Sequence, residues 1–91
     1  MMLTEAETIA LNALAFLSSE PDRLRALCEA TGLSPRDLAS RATDPEVLVG
    51  VLDAVLSDDS TLLVFCADFG LNPERVLPAR YILEGPQEEA P

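Results

Sequence analysis

The stretch GLSPRDLASRA spans Gly32–Ala42, and GLNPERVLPAR spans Gly70–Arg80. The two share Gly-Leu-x-Pro at an offset of 38 residues. Each residue of this phrase has a mechanical reading. Glycine ends a helix in a left-handed C-terminal cap. Leucine packs under the corner, and Ser34 or Asn72 caps the helix that follows. Pro35 or Pro73 takes the first helical position, where its missing N–H would have had no partner. The phrase is a joint between two helices, and its recurrence makes the chain helical.

The echo extends upstream. At the same offset Ser19 meets Ser57, Leu24 meets Leu62, and Cys28 meets Cys66. With Gly32, Leu33 and Pro35, six of the 17 positions from 19 to 35 are identical to their counterparts. The chain reads as two copies of a three-helix unit: a long helix, a medium helix, the turn, a short helix.

Capping and periodicity predict helices over 4–18, 21–31, 35–42, 45–56, 58–69 and 73–83. Thr4 with Glu7 forms a capping-box pattern. Pro21 and Pro45 look like first helical residues, with Asp44 as a cap, and Asp58-Asp59 opens the fifth helix. Pro78 falls about one turn into the last helix. An interior proline costs about 3 kcal/mol, so a kink or restart is expected there. No stretch alternates with the period of a strand.

The first helix places Ala6, Ile9, Ala13 and Leu17 on one stripe, and the second places Leu24, Leu27, Cys28 and Thr31. The fourth (EVLVGVLDAVL) and fifth (TLLVFCADF) are apolar almost all round. Their hairpin is expected at the centre, with the first and the short helices against it. The expected fold is all-α: one compact bundle of about six helices over residues 1–83, with an acidic tail, 84–91, expected to be disordered.

Sixteen acids face six bases, all arginine, for a net charge of −10. Such a surface repels phosphate polyanions and anionic lipid. The N-terminus has no basic segment ahead of its apolar residues, and no apolar run approaches the roughly 20 residues a membrane span needs. The cytoplasm is the expected location, where Cys28 and Cys66 would be free thiols.

RLRALCEATGLSPRDLASRA resembles a helix-turn-helix, with PRDLASRA as the recognition helix. Residues 20–42 hold four arginines and four acids, however, so the segment lacks the basic face of a DNA reader. The cysteines have no histidine anywhere to activate them, and their matched positions suit small core residues. Two cysteines without histidine cannot make the usual zinc site, the acids lack a calcium-loop spacing, and no glycine-rich phosphate loop is present. Asp53 and Asp68 interrupt apolar helices. Each is expected either to face water or to pair with an arginine across the two copies.

ALNALAFL, the DRL after Pro21, TGLSPRDL, DPEVLVGVLDAVL, DDSTLLVFC and GLNPERV…AR follow in order through residues 4–83. Together they resemble a family of small, uncharacterised helical proteins, a domain of unknown function known mainly from alphaproteobacteria. The chain departs from that family at Pro78 and at Ser18-Ser19, where a small or acidic pair is more usual. The resemblance implies a helical scaffold and carries over no catalytic or binding residue.

The expected function is therefore non-enzymatic, with no cofactor, metal or small-molecule ligand. It runs through a protein partner or through self-association as a homodimer, hinted at by the apolar excess of the fourth and fifth helices. Arg36, Arg41, Arg75 and Arg80, on the two short helices, form the candidate contact surface. The alternative is a degenerate helix-turn-helix regulator binding nucleic acid.

Overall fold

The computed structural model describes residues 1–85. All regular structure among them is helical: α1 Leu3–Ser18, α2 Pro21–Thr31, α3 Pro35–Ser40, α4 Pro45–Leu56, α5 Asp59–Phe69, a 3-10 turn Pro73–Arg75, and α6 Val76–Glu84. The all-α bundle read from the sequence is the observed fold.

The joints work as their residues dictate. Gly32 and Gly70 adopt φ 75° and 63°, the left-handed region. Ser34 accepts from the Asp37 amide at 3.1 Å, and Asn72 accepts from the Glu74 amide at 2.9 Å. Asp44 and Asp58 cap α4 and α5 in the same way. The Thr4–Glu7 capping box does not form. The helix starts one residue earlier, with Met2 as its extended cap residue, and Thr4 is already helical. Its carbonyl instead accepts from the Thr8 hydroxyl.

Pro78 produces a restart. The chain makes a 3-10 turn at Pro73–Arg75 and then begins α6, in which Pro78 is the third residue. A first-turn proline has no intrahelical hydrogen bond to lose. The last helix also runs further than expected. Glu84 closes α6 and pairs with Arg80, so this residue of the expected tail is ordered. Gly85 follows as the helix C-cap, and residues 86–91 of that tail lie outside the described residues.

The packing centre differs from the expected hairpin of the fourth and fifth helices. α1, α4 and α6 pack mutually, each against the other two. α4 buries Val47, Leu48, Val51, Leu52 and Val55, whereas α5 buries only Phe65 and Cys66. An all-round apolar helix gives no signal as to which face is covered, so sequence could not rank α4 and α5. What decides is α6, which closes over α4 and α1 and leaves α5 at the rim. α1 supplies Ala10 and Phe16 to the core as well as the expected stripe.

The halves repeat their order of helices and the conformation of the glycine joint. They diverge at the third helix. α3 has six residues and packs on α2, whereas α6 has nine and lies across α1 and α4.

Two glycine substitutions separate backbone conformation from packing. A Cβ at Gly70 meets nothing within 4 Å, but φ is positive. Gly70→Ala is expected to cost roughly 1 kcal/mol through the backbone alone. Gly50, inside α4, would place its Cβ 3.2 Å from the Thr31 methyl. The helix-propensity gain of Gly50→Ala, about 1 kcal/mol, is expected to be offset by that contact and recovered when Thr31→Ser removes the methyl. Urea unfolding of the three variants checks both.

Candidate functional site

α5 is capped at its start by Asp58, whose carboxylate accepts from the Ser60 amide and the Thr61 hydroxyl. It ends at left-handed Gly70. Between these stops its inner side carries Phe65, fully buried, and Cys66. Phe65 lies 5.5 Å from Phe16 and 5.1 Å from Phe69, centroid to centroid, and Phe69 meets Phe16 edge-on at 6.5 Å. The guanidinium of Arg23 sits 4.5 Å above the Phe16 ring. All three phenylalanines of the chain thus form one cluster holding α5 to α1. The i, i+4 spacing of Phe65 and Phe69 was a legible signal for two of the three rings. Phe16 had none.

The outer side of α5 carries Asp59, Ser60, Leu63, Val64, Ala67 and Asp68, all exposed. Leu63 is 57% and Val64 43% accessible. Helical spacing places 59, 63 and 67 in one row and 60, 64 and 68 in the next. Two aliphatic rows run between two aspartates, with no basic residue anywhere on α5.

A second feature is an open groove of about 500 Å³ between α2 and α4. Ala30, Leu33, Val47, Gly50 and Ala54 line it, with Arg41, Glu46 and Asp53 at its edges. Its charged groups are already engaged. Arg41 donates from Nη2 to Asp44 Oδ2 at 2.8 Å, and Arg80 donates to the Asp53 carboxylate and, at 3.1 Å, to Glu84. Chemically the groove offers van der Waals contact to small apolar groups.

The four candidate arginines do not gather on one surface contact. Arg41 holds Asp44 beside the groove. Arg80 bridges α6 to α4 through Asp53. Arg75 pairs with Glu5 and ties the start of α6 to α1. Arg36 is exposed, with no ion pair among the described residues. The Asp53 bond joins two helices of the same half, so it pins α6 rather than docking one copy on the other. Asp68 is exposed and makes no ion pair among the described residues.

The guanidinium of Arg41, with help from the Glu46 amide, holds the Asp44 carboxyl below the usual carboxylate range. Asp44 raises Arg41 in turn, and Asp53 raises Arg80. Burial pushes the Cys66 thiol up, away from thiolate chemistry. Among the described residues no three metal-binding side chains come together, and no helix is long and apolar enough to cross a membrane.

A family described as protein of unknown function, DUF3572, matches residues 4–86. The chain belongs to this family. The match spans every helix of the bundle, so the α1–α4–α6 core and the rim helix α5 are features of a DUF3572 domain. No curated protein and no solved structure matches the chain at a significant level.

Two outcomes follow. Phe65→Ala is expected to cost about 3–5 kcal/mol, and Phe69→Ala, at the exposed edge of the cluster, roughly 1 kcal/mol, by chemical denaturation. Asp44→Asn keeps an N-cap acceptor while removing the charge. A lowered carboxylate contributes stability that is present above its ordinary pKa and lost as pH falls through the lowered one. The wild type should therefore exceed this variant in stability near neutrality, and the difference should close as pH falls from roughly 5 to 2.

Proposed function

We propose that this DUF3572 protein is a non-enzymatic interaction module of the cytoplasm, working by self-association or with a protein partner through the outer face of α5. The observation that carries the reading is the exposed aliphatic pair Leu63–Val64, continued by Ala67, on a helix whose inner side is fully engaged. Contiguous exposed apolar surface on a small domain marks a place where something binds. The engaged charges of the groove support a scaffold in preference to a reacting centre. The repeated order of helices supports descent of the scaffold from a duplicated three-helix unit.

A helix-turn-helix role for α2–α3 has less support. Arg23 lies on Phe16, Arg25 is beside Asp22, and Arg41 is held by Asp44 and Glu46. Of the four arginines that would face DNA, two have acidic partners within the chain and one lies on an aromatic ring, which leaves Arg36 alone without an ion pair among the described residues.

The test compares wild type with the double variant Leu63→Ser/Val64→Ser, which leaves the net charge unchanged. Both are expected to be folded by circular dichroism. Affinity capture from the native cytoplasm and light scattering on the pure protein should both be run. The reading expects a retained protein, or a dimer, that the double variant loses. Identical captured sets and identical masses for the two proteins would contradict it.

A further inference from the structure

The outer face of α5 also states what kind of partner it accepts. Its aliphatic rows are bracketed by Asp59 at one end and Asp68 at the other, both exposed. They stand nine positions apart, about 13 Å along the axis. Asp59 has a local reason to be there, since a negative charge in the first turn suits the helix dipole. Asp68 has none. It stands in the last turn, where the dipole disfavours an acid, and no basic residue of that turn offsets it. No ion pair among the described residues engages it. A residue that breaks a local rule without compensation inside the fold points outside it.

A second copy of the chain fits this face poorly. Antiparallel pairing of two α5 helices about a twofold axis would set each Asp59 against the other copy's Asp68. Parallel pairing would set each aspartate against itself. Like charges at both ends of the contact, between molecules of net charge −10, oppose association. A helix carrying aliphatic residues flanked by lysine or arginine meets both requirements of the face at once.

We propose that the outer face of α5 docks a basic amphipathic helical segment of another protein, with its aliphatic residues on Leu63, Val64 and Ala67 and its cations at Asp59 and Asp68. The proposal rests on the interaction-module reading and narrows it from any partner, self included, to one of stated chemistry.

The probes are three synthetic amphipathic peptides of roughly 14 residues, long enough for an appreciable helix, built from leucine with lysine, glutamine or glutamate. Binding is followed by fluorescence anisotropy in low and high salt. The Leu/Lys peptide is expected to bind best and to weaken as salt rises. Asp59→Asn/Asp68→Asn should weaken it about fivefold at low salt and flatten the salt dependence. Neutralising as many charges elsewhere, with Glu7→Gln/Asp37→Asn on α1 and α3, should change little. Asp68→Asn alone should raise the thermal midpoint while lowering affinity, the signature of an acid kept for binding.

Equal losses from the two double neutralisations would overturn the proposal, because net charge alone would then explain capture. Preference for the Leu/Gln or Leu/Glu peptide, lost in Leu63→Ser/Val64→Ser, would overturn the basic partner and leave the interaction face standing. So would a dimer abolished by that variant. Failure of all three peptides to bind a monomeric wild type, with no protein captured, would overturn both readings.

Discussion

Ala6, Ala10 and Ala13 of α1 and Ala79 of α6 are fully buried, and their small side chains let α1 and α6 close upon α4. That approach is the constraint on which the rest of the structure depends. In the same core the larger side chains of α4 find complete burial: Leu48, Val51, Leu52 and Val55 are each at most 1% exposed. Burying a side chain of that size stabilises by about 1.5–3 kcal/mol, so α4 carries a large share of what a 91-residue domain can gather. Interiors of this density tolerate added volume poorly, which makes the buried alanine positions as restrictive as the buried leucines.

The position of α5 follows from the same packing. With one side of α4 taken by α1 and α6 and another by α2, α5 meets the core along a narrow strip, secured by the phenylalanine cluster and Cys66. Leu62 packs partly against the core, while Leu63, Val64 and Ala67 stay in water. Ion pairs contribute direction more than strength. Arg75–Glu5 and Arg80–Asp53 are partly exposed and fix how α6 lies across its neighbours, while the apolar contacts supply the energy. Asp44 shows the economy of a small fold, capping α4 and holding Arg41 with the same carboxylate.

Helix positions were legible because the chain marks them with local chemistry. Ser34, Asp44 and Asn72 cap, Pro21, Pro35, Pro45 and Pro73 begin, and Gly32 and Gly70 end, each through interactions within a few residues of itself. Thr4 misled because a capping motif states that a helix starts nearby, and one more helical residue is enough to disable it. The tertiary arrangement was less legible. α4 and α5 are both apolar almost all round, and only long-range packing distinguishes the buried one from the exposed one. Of the candidate arginines only Arg36 and Arg80 lie within α-helices, while Arg41 follows α3 and Arg75 sits in the 3-10 turn. Glu5, the partner of Arg75, and Asp53, a partner of Arg80, lie far away in sequence and obey no short-range spacing. The face of α5 went unread for the same reason. Its pattern of aspartate, leucine, valine and aspartate has meaning only once the fold leaves it uncovered.

The central claim is that α1, α4 and α6 form the cooperative core and that α5 is attached at its rim. Native-state amide hydrogen exchange, resolved by residue at a concentration where the chain is monomeric, tests it most directly. The account predicts that the slowest amides lie in α1, α4 and α6 and exchange only with global unfolding, while those of α5 exchange through a smaller opening. Protection of α5 equal to that of α4, with α6 exchanging first, would contradict it.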